Sequence, residues 1–149
     1  MVNGSMRFEF ATATRILFGA GALGECGAAV AELGRRVLIV TGRTPDRAAP
    51  LLNVLRKDGR AGTWTLAISG EPTIQQVEDG ARFARTERID VVIGFGGGSA
   101  IDAGKAIAAL AANDGALLDY LEVIGQGKPL ERAPLPFVAI PTTAGTSTW

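Results

Sequence analysis

Val37-Leu38-Ile39-Val40 and Val91-Val92-Ile93 are unbroken apolar runs rich in β-branched side chains. Alternate residues of a strand face opposite ways, so a strand with no polar alternate must be buried on both faces. Such strands belong to parallel sheets covered by helices above and below. Around these runs the pattern changes period. Residues 22–33 predict a helix stopped by Gly34, with Leu23, Val30 and Leu33 apolar, and residues 46–58 predict a second, stopped by Gly59. Residues 63–68 read as a β-branched and aromatic strand, and Ile74, Val77, Ala81 and Ala84 share one face of a helix over 73–86. An Ala-rich helix follows from about residue 99 to 112. Residues 117–121 suggest a short helical turn before a Gly/Pro loop, and Phe137–Ile140 form the last strand. Residues 7–18 alternate in a way that predicts two short strands in a hairpin. Strand and helix alternate throughout, which predicts an α/β fold with a parallel sheet and helices on both faces.

A chain of 149 residues with 47% apolar and 20% charged side chains has enough material for one globular core. Asn3-Gly4-Ser5 ahead of Met6 reads as a cloning remnant, which sets residues 1–5 apart and leaves one domain over 6–149. Fifteen basic and fifteen acidic residues cancel, so no net field draws the chain to nucleic acid or a membrane surface. No apolar run approaches the roughly 18–20 residues that span a bilayer. Cys26 has no second cysteine to pair with, which favours a reducing cytoplasm and a packing role for the thiol. The histidine count is zero, so a His-ligated metal site, a Ser-His-Asp triad and a His general base are all excluded within these residues.

Two glycine clusters compete as phosphate sites. Gly19-Ala20-Gly21-Ala22-Leu23-Gly24 has the G-x-G-x-x-G spacing of a dinucleotide fingerprint. That fingerprint expects an acid about 20 residues on, to hold a ribose hydroxyl. The place holds Thr41-Gly42-Arg43, with no acid until Asp46, and the glycines equally suit a tight turn. The second cluster runs from Val91–Ile93 into Gly94-Phe95-Gly96-Gly97-Gly98-Ser99 and then a helix. Gly96, Gly97 and Gly98 clear every side chain from where a phosphate must approach, and a helix start offers free N–H groups and a positive dipole end. Ser99 adds a hydroxyl, and Lys105 sits one to two turns further on. Ser99 and Asp102 also have the spacing of a capping box, so both can serve the helix end alone, and Lys105 can be a solvated surface lysine. A third cluster, Pro141-Thr142-Thr143-Ala144-Gly145-Thr146, places hydroxyls directly after the last strand, where open α/β sheets bind ligands. An ordinary Thr-rich turn is the alternative.

The run Gly96-Gly97-Gly98-Ser99 to Asp102 and Lys105, with Pro141–Thr146 downstream, resembles the iron-containing (group III) alcohol dehydrogenase family over essentially the whole chain. The resemblance implies a Rossmann-like N-terminal domain of an oxidoreductase that binds NAD(P) through Gly96, Gly97, Gly98 and Ser99. It implies Asp102 near the nicotinamide end, Lys105 nearby, and Thr142, Thr143 and Thr146 along the cofactor cleft. It demotes Gly19–Gly24 to a structural turn. Gly42 stands where NAD-preferring members often carry Asp, which with Arg43 tips the expectation to NADP. The family usually has Ala where this chain has Gly104, a difference expected to matter little beyond helix propensity. Its all-helical second domain, with an aspartate and three histidines around iron or zinc, is expected to be absent here, leaving no catalytic or metal residues in these 149. A small alcohol or aldehyde as substrate and a homo-oligomeric state are further expectations. A non-catalytic nucleotide-binding or self-associating module is the competing function.

Overall fold

A computed structural model describes residues 8–11, 15–121 and 125–143. Strands β1 (Phe8–Ala11) and β2 (Arg15–Phe18) pair antiparallel, Phe8 opposite Phe18 and Ala11 opposite Arg15, in a two-stranded sheet of their own. Four further strands, β3 (Arg36–Thr41), β4 (Gly62–Ala67), β5 (Val91–Gly96) and β6 (Phe137–Pro141), form a parallel sheet in the order β4-β3-β5-β6. The two central strands are the two apolar runs, and every residue of β5 is buried.

The double-sided burial expected of those runs is what the packing displays. Val37, Ile39, Val91 and Ile93 meet Cys26 and Val30 of α1 (Ala22–Leu33) and Leu51 and Leu55 of α2 (Ala49–Arg56). Leu38, Val40 and Val92 turn to the other face, against Val77 and Ala81 of α3 (Ile74–Thr86) and Ala103, Ile107 and Leu110 of α4 (Gly98–Ala112). Each such Val, Leu or Ile removed from water contributes about 1.5–3 kcal/mol, so the two clusters together fix which residues of each strand face which layer.

Several boundaries differ from the sequence expectation for physical reasons. The helix expected over 46–58 is a 3-10 turn at Pro45–Ala48 followed by α2. Pro50 lies in the first turn of α2, the one place where its missing N–H costs nothing, so the α-helix starts just ahead of it. Strand β5 runs on through Gly94-Phe95-Gly96, because pairing with β6 continues to Gly96 opposite Pro141. Strand β4 ends at Ala67, and Ile68 beyond it is buried and donates its N–H to the Thr41 carbonyl at 2.8 Å. The short helical turn is α5 (Leu117–Tyr120).

Polar ties close the sheet end away from the glycine loop. The Asp90 carboxylate accepts the N–H groups of Arg35 and Arg36, each at 2.9 Å, which fixes the start of β3 beside that of β5. Asn113, buried after α4, donates to the carbonyls of Ala109 and Arg132 and accepts the N–H groups of Glu131 and Arg132, all at 2.8–3.0 Å. Its side chain thereby anchors the loop that leads into β6.

Candidate functional site

The chain order of the sheet creates a specific place for a ligand. From β3 the chain passes to β4 on one side, and from β5 it passes to β6 on the other. The neighbours β3 and β5 therefore send their outgoing chain apart at their carboxyl ends, the position at which open α/β sheets hold ligands in a crevice. The residue after β3 is Gly42 and the residues after β5 are Gly97 and Gly98.

The strand ends there lie in contact. A methyl group placed on Gly96 would stand 3.4 Å from the Gly42 nitrogen and 3.1 Å from Cβ of Ala100. Gly96 also has φ 147°, a conformation that side chains rarely allow, so the backbone itself favours glycine there and the close approach to Ala100 adds to that. The Thr142 N–H donates to the Gly96 carbonyl at 2.9 Å, and Thr143 Oγ1 lies 3.6 Å from where a methyl on Gly97 would be. Gly42, Gly96, Gly97, Thr142 and Thr143 thus come together from three strand ends. Gly42 itself faces open space, with nothing within 4 Å of a methyl placed on it.

Helix α4 starts at Gly98 with Gly97 as its N-cap, and no side chain caps it. The capping-box alternative for Ser99 and Asp102 is therefore corrected: the helix begins two residues earlier than that box requires, and Ser99 already lies in the first turn. By contrast, α3 carries a true box, in which Thr73 Oγ1 accepts from Gln76 N at 3.1 Å and Gln76 Oε1 accepts from Thr73 N at 2.9 Å. The first intrahelical bond of α4 runs from Ile101 N to Gly97 O at 3.2 Å. The N–H groups of Gly98, Ser99 and Ala100 precede it, without intrahelical acceptors, at the positive end of the helix dipole. Asp102 and Lys105 are exposed, one and two turns along the outward side of α4. Thr146 lies outside the described residues.

The other glycine cluster lacks the context a fingerprint needs. A dinucleotide βαβ unit requires its first strand in the same parallel sheet as its last. Here β2, which leads into Gly19–Gly24, pairs with β1 and not with β3. Gly19 and Gly21, at φ 140° and 79°, turn the chain from β2 into α1, with Gly21 as its N-cap.

Sequence reasoning undervalued two further glycines. A methyl on Gly94 would meet Phe137 Cζ at 2.9 Å, Ile101 Cα at 3.0 Å and the Ala100 carbonyl oxygen at 3.3 Å. A methyl on Gly104 would meet Phe137 Cε2 at 2.8 Å and Gly94 Cα at 3.4 Å. Gly104 is thus a contact point between α4, β5 and β6, which corrects the expectation that its replacement of Ala matters little. Gly94 belonged to the glycine-rich string, but a packing role for it depends on the distant Phe137 and has no local signal. Among the described residues no three His, Cys, Asp or Glu side chains gather as a metal site, so the donor set of a bound divalent ion does not fit there. No helix among them is long and apolar enough to cross a membrane.

Comparison with known proteins places this geometry among relatives. The family model described as iron-containing alcohol dehydrogenase matches residues 13–148. Long-chain-alcohol dehydrogenase 1 of Geobacillus thermodenitrificans is 37% identical over 136 residues, 86% of this chain and 33% of that protein. NADH-dependent butanol dehydrogenase B of Clostridium acetobutylicum is 31% identical over 143 residues, 93% of this chain and 36% of that protein. The crystal structure of sulfoacetaldehyde reductase from Bifidobacterium kashiwanohense in complex with NAD+ superposes with a TM-score of 0.77 at 29% identity, covering 95% of this chain and 37% of that one. The chain spans about a third of the length of the curated relatives it matches.

Proposed function

The chain belongs to the iron-containing alcohol dehydrogenase family, and on that premise we propose that residues 6–149 are its dinucleotide-binding domain. The observation that carries the reading is the crevice at the ends of β3 and β5. There Gly42 and Gly96 bring two backbones together with no side chain between them, under the uncapped start of α4. A pyrophosphate seated there receives hydrogen bonds from the N–H groups of Gly98, Ser99 and Ala100 and from the Ser99 hydroxyl. The hydroxyls of Thr142 and Thr143 line the same crevice, with Thr146 following them in the chain. Asp102 and Lys105 stand on α4 toward the nicotinamide half.

NADP is the preferred dinucleotide in this reading. Gly42 places no carboxylate where a 2′-phosphate would sit, and the exposed Arg43 beside it supplies a guanidinium. Bound there, the dinucleotide would supply hydride-transfer chemistry between a small alcohol and its aldehyde in the whole protein. The residues described here bind and orient the dinucleotide; none of them is assigned a proton transfer or a metal bond. Titration of the chain with NADPH and with NADH, followed by nicotinamide fluorescence, tests the reading. Saturable binding with NADPH the tighter is expected, and no binding of either at millimolar concentration would overturn it.

A second reading, self-association, is favoured by β2, where Ile16 and Phe18 are 44% and 57% exposed. Sedimentation velocity across a concentration series would reveal a dimer or larger species, and a single monomer boundary throughout would count against it.

A further inference from the structure

We propose that Gly94 is a positioning residue for the dinucleotide: its bare Cα lets the first turn of α4 settle against β5 and so sets where the phosphate-binding N–H groups lie. The inference rests on the cofactor reading above. Gly94 sits in the middle of β5, buried, two residues before the crevice glycine Gly96. Two of the three atoms nearest its absent Cβ are backbone atoms of the α4 first turn, Ile101 Cα at 3.0 Å and the Ala100 carbonyl oxygen at 3.3 Å. The third, Phe137 Cζ at 2.9 Å, closes the notch from β6. Backbone cannot swing aside as a side-chain tip can, so a methyl at Gly94 has to lift the helix start or tilt it. Ala100 carries one of the N–H groups that face the crevice, which makes the displacement local to the site.

Gly104 provides the internal contrast. Its absent Cβ meets the Phe137 ring edge at 2.8 Å, and no backbone atom nearer than Gly94 Cα at 3.4 Å. A methyl there displaces a half-buried ring two turns away from the crevice and leaves the first turn of α4 in place. The structure thus assigns a ligand-positioning role to Gly94 and a packing role to Gly104.

The test compares Gly94→Ala with Gly104→Ala in the full chain, using NADH and NADPH titrations, melting temperature and amide NMR. Gly94→Ala is expected to bind both dinucleotides about tenfold more weakly, the loss of one charge-assisted hydrogen bond, with the amide resonances of Gly97–Ala100 shifted. Gly104→Ala is expected to melt lower yet bind as the parent does, and adding Phe137→Leu is expected to restore its melting temperature. Should the ring contact alone prevent Gly94→Ala from folding, Gly94→Ala with Phe137→Leu keeps the helix contact and carries the same prediction. Parent-like affinity and unmoved amides in the Gly94 variants would overturn the proposal, as would an equal loss of affinity in Gly104→Ala. A parent chain that binds neither dinucleotide would instead overturn the cofactor reading, before any variant is compared.

Discussion

A methyl on Gly42 would touch nothing within 4 Å, so a side chain can leave the backbone there without a clash at Cβ. The carboxylate of an aspartate there would stand against a 2′-phosphate and beside a ribose hydroxyl. Gly42→Asp is therefore expected to move the NADPH to NADH affinity ratio toward NADH by about tenfold or more, as like charges at close range require. An unchanged ratio in the paired fluorescence titrations would mean that no 2′-phosphate sits beside residue 42. Cys26 offers a second residue-scale expectation. Burial pushes its thiol above the ordinary cysteine range, and the Arg60 charge offsets this only in part. The folded thiol then holds its proton where the unfolded one has lost it. That contribution to stability is fully present below the unfolded thiol pKa of about 8.5 and is lost as pH rises from there through the raised folded value. Chemical denaturation at pH 7 and pH 10, for the parent and for Cys26→Ser, should show the parent losing more across that interval. The glycine string, Ser99 and the threonines stand out in the sequence because a phosphate site would need bare backbone and hydroxyls. The roles of Gly94 and Gly104 do not, because each is defined by Phe137, 43 and 33 residues further along.

Elements declared themselves where burial is two-sided. In β3, the alternates Val37, Ile39 and Leu38, Val40 are all apolar because helices lie on both sides. The end of β5 was hidden, since Gly94 and Gly96 read locally as turn residues although pairing with β6 carries them. The 3-10 turn was hidden too, because its apolar spacing continues that of α2 and only Pro50 marks the break. At the far end of α4, Asn113 ties the loop before β6 through both ends of its amide. Asn113→Ala strands those partners. Loop backbone at residues 131–132 is exposed and water replaces part of what is lost, so a cost of about 1–3 kcal/mol in denaturant unfolding is expected. A change below the error of such a measurement would show that the loop is held by other contacts.

At the scale of the whole molecule, the order β4-β3-β5-β6 does more for function than any single residue. It puts the two most buried strands side by side and sends their loops apart at one edge, where the glycines stand. Strand order was the part least legible in the sequence, because alternation of strand and helix predicts a parallel sheet but not which strands are neighbours. It is also what separates the two glycine clusters, since β2 lies in the other sheet. Binding to the folded crevice alone should stabilise the chain by about 2.7 kcal/mol at a hundredfold excess over Kd, visible as a raised melting temperature. The most direct test of where the dinucleotide goes is an amide NMR titration of the chain with NADPH. The largest shifts are expected at Gly42, Gly96–Ala100, Thr142 and Thr143; shifts centred instead on Gly19–Gly24, with that crevice unmoved, would contradict the account.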